Sequence, residues 1–406
     1  MKIGILIYSL NVRGGGHRQA LELANYLKNK GHKIIIFTYF FDKNSTHDFL
    51  LQGLTVEYLY NATKEEELHF WGDIQKVSNK PLKFLLKIRN VFKKIRLAQK
   101  IVEKIPADLD LLNTHDEISF IAGYYAKKKF KNLKTVFMCN DVPSYTWTYK
   151  RFERKMNIMK KIFLLILDKI NMQYLKSYDQ IIVLDNLNKE ALKNYFCLDA
   201  KVIKSGLALD RYVFNSDKKI NKNEIKILTV GFLERHKRFE DIILALKIIR
   251  KKGFNCKLWI VGKYDHNPEY FNYLQNLINH LSLGNAVLFK GVVSEEELRI
   301  FYQEADIFIF PAHNQTWGLV VFEAMASGLP VVVSNSTGAS EVLTHMKNAL
   351  VFDAKNYKEM ANMIEILINN PKLYEYIRFN GRKFVEDNIS WDKYGLKMEE
   401  IFLNLI

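Results

Sequence analysis

The sequence predicts an α/β protein built from two doubly wound, Rossmann-like domains. Three observations carry this. The chain opens with an apolar run, Lys2–Ser9, a glycine loop, Asn11–His17, an amphipathic segment, Arg18–Asn29, and a second apolar run, Lys33–Tyr39. That is a β-α-β unit, the building block of a parallel sheet. The same alternation restarts at Ile225, after the polar and irregular stretch Ser205–Asn223. With 406 residues, 48% of them apolar, the chain has material for two or three globular domains with sizeable cores.

The elements follow in order. In the first half, short apolar strands are expected at Leu109–Asn113, Thr135–Met138, Tyr178–Leu184 and Lys201–Lys204. A helix Leu82–Lys104 precedes them, and Asp185 is placed to cap a helix Leu187–Tyr195. In the second half, strands are expected at Ile225–Val230, Cys256–Val261, Val287–Phe289, Ile307–Phe310, Val331–Val333 and Leu350–Phe352. Helices Phe239–Arg250, Asn272–Leu281 and Ser294–Tyr302 alternate with them, the last opened by a capping box of Ser294 and Glu297. A further helix is expected to open at Gly338–Val342, and helices Tyr357–Asn369, Leu373–Glu386 and Trp391–Ile406 close the chain.

The most informative stretch is Phe310–Asn335, FPAHNQTWGLVVFEAMASGLPVVVSN. It reads as strand end, loop, short helix from about Gly318 to Ala326, and buried strand, with Gly328 as the helix stop and Pro330 preventing its continuation. A helix start with exposed backbone N–H groups favours phosphate. Glu323 stands within that helix, eight positions after Gln315, where a carboxylate is a natural acceptor for sugar hydroxyls. At the amino end, a dinucleotide reading fails on spacing, since G-x-G-x-x-G begun at Gly14 puts Gln19 in the last glycine position.

Gly318-Leu319, Glu323 and the run Ala324–Val331, AMASGLPV, resemble the donor-site signature of the retaining glycosyltransferases of family 4. In that signature a Glu precedes the second Glu by eight positions; here the first is Gln315. The opening also resembles the family, through Gly15-Gly16, Leu23-Ala24 and Gly31-His32. The resemblance implies a GT-B fold, with two Rossmann-like domains facing a central cleft. It implies an acceptor-side domain over residues 1–205 and a nucleotide-sugar-binding domain over 206–385. Residues 386–406 would then form a terminal helix returning to the first domain.

By resemblance, Glu323 binds the nucleotide's ribose, and Trp317, Gly318, Leu319 and Val320 present backbone N–H groups to the diphosphate. Gly15 and Gly16 face that diphosphate across the cleft. Lys237, in the loop Gly231–Arg238, matches the family's diphosphate-binding Lys. The family's Arg position holds Phe232, and Arg235 stands three residues on as a substitute charge. A fixed cation there lowers the barrier as negative charge builds on the departing diphosphate. His115, at the end of a strand, matches the His that contacts the donor sugar, which Gln315 also holds. Asp141 fits the family's second residue after the next strand, where it would orient an acceptor hydroxyl or take its proton.

Bulk properties complete the expectation. The formal charge of +16 points to phosphate-bearing partners, and no nucleic-acid motif accompanies it. Leu82–Lys104 interleaves Phe84, Leu85, Ile88, Val91, Phe92, Ile95 and Leu97 with Lys83, Lys87, Arg89, Lys93, Lys94, Arg96 and Lys100. That is a basic amphipathic helix suited to an anionic membrane surface. A second basic stretch, Lys150–Lys161, runs into the apolar Ile162–Leu167. The apolar runs are far too short to span a membrane. Met1–Leu10 reads as a strand, not a signal peptide. Three scattered cysteines, Cys139, Cys197 and Cys256, fit a reduced compartment.

The expected function is retaining transfer of a sugar from GDP-mannose or a UDP-sugar to a glycan or lipid-linked acceptor, in polysaccharide, lipopolysaccharide or glycolipid synthesis. It needs no metal or cofactor, since cations and a helix dipole replace the metal. The protein is expected in the cytoplasm, peripheral on the membrane's cytoplasmic face. The alternative is a catalytically weak sugar-nucleotide-binding subunit of a glycan assembly complex, suggested by Gln315 and Phe232.

Overall fold

The computed structural model describes residues 1–11, 14–42, 49–71, 80–151, 157–264 and 267–406. Val12 and Arg13 of the glycine loop, residues 152–156 of the second basic stretch, and the side chains of Lys83, Phe84 and Lys87 lie outside the described residues. The chain forms two compact units, one of Met1–Lys204 with Trp391–Ile406, the other of Ser205–Ser390.

The first unit has seven strands: β1 Lys2–Ser9, β2 Lys33–Phe41, β3 Thr55–Asn61, β4 Leu111–Thr114, β5 Lys134–Cys139, β6 Gln180–Val183 and β7 Lys201–Val202. They lie in the order β3-β2-β1-β4-β5-β6-β7, all parallel. The order reverses between β1 and β4, and ligands of such sheets gather at that switch point, beyond the carboxyl ends of the strands. Its helices are α1 Gly15–Asn29, α2 Lys64–Trp71, α3 Lys80–Glu103, α4 Ser119–Lys129, α5 Tyr145–Arg151, α6 Ile158–Leu175 and α7 Asn186–Phe196. Asp185 caps α7, its side chain accepting from Asn188 N. The core holds Leu6, Phe37, Phe40, Leu97, Ile101, Phe120 and Phe137.

The second unit has six strands: β8 Ile225–Val230, β9 Cys256–Val261, β10 Val287–Gly291, β11 Ile307–Phe310, β12 Val331–Ser334 and β13 Leu350–Phe352. Their order is β10-β9-β8-β11-β12-β13, again all parallel, with the switch point between β8 and β11. The helices are α8 Phe239–Lys251, α9 Pro268–His280, α10 Glu295–Glu304, α11 Leu319–Ala326, α12 Tyr357–Asn369 and α13 Pro371–Asn388. Ser294 and Glu297 make the capping box of α10. Strands β11 and β12 are wholly buried, which is why both read as unbroken apolar runs.

A last helix, α14 Trp391–Leu403, belongs to the first unit and packs on α1. Gly395 sits so close against the Tyr26 ring that a Cβ there would overlap it. Glu399 is reached by His32, Nε2 to Oε1 at 2.7 Å, and by the Tyr26 hydroxyl at 3.3 Å. Residues 386–388 still belong to α13, so the returning segment is shorter than the expected 386–406.

The structure departs from the sequence reading in two other places that bear on the site. Helix α9 begins at Pro268, with Asn267 as its cap accepting from Tyr270 N, four residues before the expected Asn272. Proline at the first helical position loses no helix hydrogen bond and marks this start. At Gly338–Val342 only a short 3-10 turn forms, Ala339–Val342, because Leu343 is already extended.

Candidate functional site

In the second unit the site is assembled by two loops at the sheet's switch point. The loop after β8 carries Arg235, His236 and Lys237 in a single 3-10 turn. It ends at Arg238, a left-handed residue held by Asp241 at 2.8 and 2.9 Å and by Glu240 at 2.9 Å. The loop after β11 carries Gln315 to Gly318. His236 O accepts from His313 N at 2.7 Å, so the two loops are stitched together by backbone.

Gly318 caps α11 with φ of +77°, a conformation that suits glycine, and a Cβ there would fall 2.8 Å from Phe310 Cε1. The Lys237 ammonium lies 5.3 Å from the centroid of the same Phe310 ring. Lys237 and the start of α11 therefore border one aromatic side chain at the end of β11. Val321 N donates to the carbonyl of the cap, Gly318, at 3.0 Å, while Leu319 and Val320 stand at the first two positions of α11, ahead of that bond, and the first turn carries no acid to compete for their amides. Trp317 is buried and stacks on Phe322 with centroids 4.5 Å apart, which fixes the entry into the helix.

Glu323 sits one turn into α11, half-buried, and accepts from the Tyr302 hydroxyl at 2.9 Å. Burial, reinforced by Glu323, pushes the Tyr302 hydroxyl far above its ordinary range, so it stays a donor and orients the carboxylate. Gln315 is pinned by its backbone: its N–H donates to Ser336 O at 3.2 Å and its carbonyl accepts from Gly338 N at 2.9 Å. Its side-chain Oε1 lies 3.0 Å from His236 Nε2.

The Arg235 guanidinium pairs with Glu269 at 2.9 Å and lies over the rings of Tyr270 and Tyr273, at 5.5 and 5.8 Å. The start of α9 at Pro268 brings Glu269 and both tyrosines beside the loop. Phe232, in the family's Arg position, is 61% exposed.

In the first unit a cavity of about 440 Å³ opens beyond the ends of β1, β4 and β5, lined by Gly16, His17, His115, Asp116, Asn140 and Asp141, among others. His115 is buried, and its Nε2 lies 2.7 Å from Asn113 Oδ1. Asn113 Nδ2 donates to Val136 O, so Oδ1 is the acceptor and His115 Nε2 carries the proton. Nδ1 is left as a lone-pair acceptor, with no hydrogen-bond partner among the described residues. Burial, with His17 nearby, lowers the imidazole to about 3, so it stays neutral and can accept from a hydroxyl. Asp116 beside it is pushed up to about 6 by burial, against backbone donors at Tyr8, Ile118 and Ser119.

Gly16, the second residue of α1, stands at close quarters, for a Cβ there would lie 3.2 Å from Asn140 Nδ2; Gly15, which begins the helix, has open space around it. Asp141 is not a helix cap. Ser144 and Asp168 take the α5 amides, and Asp141 is left 68% exposed, accepting from the buried Arg151 at 2.5 Å.

The structure thus brings Lys237, Gln315, Trp317 to Val320 and Glu323 to one end of the second sheet. It gathers Gly16, His115 and Asp141 in one cavity of the first. Sequence reading missed His236, although it adjoins Lys237. It also missed Tyr302 and Asp116, whose contacts join elements distant in the chain.

The amino-terminal region, residues 13–211, matches the model of Glycosyltransferase Family 4, and residues 211–384 match that of Glycosyl transferases group 1. An uncharacterized glycosyltransferase of Methanocaldococcus jannaschii is 30% identical over 57% of this chain and 62% of its own. An alpha-monoglucosyldiacylglycerol synthase of Streptococcus pneumoniae is 22% identical over 73% of this chain and 67% of its own. The chain spans 62% of the first relative's length, and 52% and 47% of two others'. The solved structure of Anabaena Alr3699/HepE in complex with UDP superposes with a TM-score of 0.73 at 18% identity, covering 100% of both chains. The fold is GT-B. With the two matches running together from residue 13 to 384, the chain belongs to the group 1, family 4 glycosyltransferases.

Proposed function

We propose that the protein transfers a sugar, with retention, from a nucleoside diphosphate sugar to a hydroxyl of a lipid-linked or glycan acceptor at a membrane surface. The observation that carries this is the meeting of Lys237 and the α11 start on the Phe310 ring. A cation and the amino end of a helix at one point are what a leaving diphosphate requires. In this reading Glu323, oriented by Tyr302, accepts from the ribose and Gln315 holds the sugar; in the first unit His115 offers Nδ1 to a substrate hydroxyl. The acceptor oxygen bonds to the anomeric carbon on the face from which the diphosphate departs. The diphosphate leaves with the bonding electron pair, and the acceptor's proton passes to its oxygen. The UDP in the Anabaena structure and the diacylglycerol named for the pneumococcal relative support a UDP-sugar and a lipid acceptor respectively; GDP-mannose is the second donor to try.

The membrane part of the reading rests on α3 and α6. Phe92 and Leu85 on α3, and Ile158, Met159, Ile162, Leu165 and Ile166 on α6, are at least half exposed, with Arg89, Lys160, Lys161 and Lys169 among them. Among the described residues no helix is long and apolar enough to cross a membrane. Gln315 and the exposed Phe232 favour a second reading, a binding subunit with weak turnover.

Thermal unfolding with UDP-glucose and GDP-mannose tests the donor site. A hundredfold excess over Kd stabilises by about 2.7 kcal/mol. One of the two is expected to raise the melting point in the native chain and not in Glu323→Ala. An equal rise in Glu323→Ala removes the site. Donor binding without nucleotide release, across a panel of lipid and glycan acceptors, favours the binding subunit.

A further inference from the structure

The cavity beside His115 shares a wall with another. Glu117 and Tyr145 line it, and both also line a second cavity of about 300 Å³ enclosed by α3, α4 and α6. The Tyr145 hydroxyl donates to Glu117 Oε1 at 3.0 Å, and Lys94 Nζ donates to the same oxygen at 2.8 Å. Burial alone would raise the Glu117 carboxyl, but Lys94 and Tyr145 more than offset it and hold it below the usual carboxylate range.

The second cavity is apolar. Phe92, Ile95, Ile121, Ile166 and Ile170 supply much of its wall, and the amide of Asn171, which also lines it, is committed to Pro143 O at 2.8 Å. Water gains little in such a place; a cavity of about 150 Å³ lined by Leu, Ile and Phe stays dry and takes a small hydrocarbon. Its rim is the exposed face already described: Phe92 is 61% exposed, Ile166 54% and Ile170 37%. Along α6 that face continues through Ile162 and Leu165, and exposed Arg89, Lys160, Lys161 and Lys169 stand around it.

An apolar face edged with cations complements an anionic bilayer, whereas a second copy of a chain with charge +16 would bring like charge against it. We propose that the α3–α4–α6 cavity seats the hydrocarbon chain of a lipid acceptor drawn from an anionic leaflet, with the lipid's hydroxyl-bearing headgroup in the His115 cavity. Glu117 and Tyr145 form the wall where chain and headgroup part. This rests on the lipid-linked acceptor proposed above and gives its apolar portion a place.

The test uses the full chain, with decyl phosphate and butyl phosphate as probes of chain length. Decyl phosphate is expected to raise the melting point and butyl phosphate to leave it unchanged. Ile166→Trp, which fills the cavity from its half-exposed rim, is expected to weaken decyl phosphate at least tenfold while the nucleotide-sugar shift stays as in the native chain. Ile170→Trp is the second filling variant should the first fold poorly by circular dichroism. Undiminished decyl phosphate binding in the folded variants overturns the seat. A Phe92→Ser, Ile162→Ser chain is expected to lose co-sedimentation with phosphatidylglycerol-containing vesicles. A dimer broken by those two substitutions assigns the face to a second copy and also overturns the proposal. Decyl phosphate binding that Ile166→Trp abolishes, in a chain no nucleotide sugar stabilises, supports the seat and removes the donor reading alone.

Discussion

His236 Nε2 lies 3.0 Å from Gln315 Oε1, so the residue beside Lys237 holds the amide that stands where the family has its first Glu. The contact joins the two loops through side chains as the His313 to His236 hydrogen bond joins them through backbone. Orientation of Gln315 therefore depends on His236. A single neutral hydrogen bond contributes about 0.5–1.5 kcal/mol, so His236→Ala should weaken donor binding by about two- to tenfold in a titration calorimeter. Gln315→Glu should bind the donor as well or better, because a carboxylate accepts from sugar hydroxyls more strongly. Weaker donor binding in Gln315→Glu would show that the amide is the residue this loop requires.

Lys237 is tested separately from binding. Its side chain crosses Gly231, where a Cβ would stand 3.6 Å from its Cδ, and ends against Phe310. Replacing it by Met keeps that apolar path and removes the charge. If the cation acts on the departing diphosphate, kcat should fall by about 10²–10³ while the donor's KM changes far less. A fall confined to KM would make Lys237 a binding residue only.

Much of this was legible in the chain, for identifiable reasons. Buried parallel strands such as β11 and β12 carry unbroken apolar runs, and AMASGLPV encodes helix, stop and strand in eight residues. Strand β3, TVEYLYN, lies at the sheet edge, half-buried and rich in polar atoms, and gave no such run. The pairing of Arg235 with Glu269 spans 34 positions and is likewise outside what a local pattern shows. The pairing of His236 with Gln315 spans 79 positions, and no local pattern announces it.

Arg378 governs stability around the signature. It is fully buried on α13, yet its guanidinium donates to Gly328 O at 2.7 Å, to Asn215 O at 2.6 Å and to Lys218 O. It thereby ties α13 to the turn after α11 and to the segment before β8. Arg378→Met keeps the volume but leaves three carbonyls without this donor. The cost should be about 3–5 kcal/mol, read as a large drop in the melting point. A loss below about 1 kcal/mol would mean that the carbonyls find other donors.

His115 makes a statement about pH. Its imidazole is lowered from an ordinary 6.5 to about 3, so below pH 6.5 the unfolded chain binds a proton that the folded chain refuses. The stability this contributes is complete above pH 6.5 and drains away as pH falls toward 3, by at most about 1.4 kcal/mol for each pH unit. Asp116 has the opposite sign: raised from 3.8 to about 6, its contribution is complete below pH 3.8 and is lost as pH rises through 6. Between pH 4 and 6 the two oppose each other in the native chain. His115→Gln removes one and leaves the other, so on acidification from pH 6.5 to 4.5 it should lose less stability than the native chain. Melting points of the two chains across that range measure this. Histidine NMR should also show one imidazole still neutral at pH 5 that is missing from His115→Gln. Parallel melting curves together with an ordinary titration near 6.5 would mean that His115 is open to water, and the role of Nδ1 as a fixed hydroxyl acceptor would fail with it.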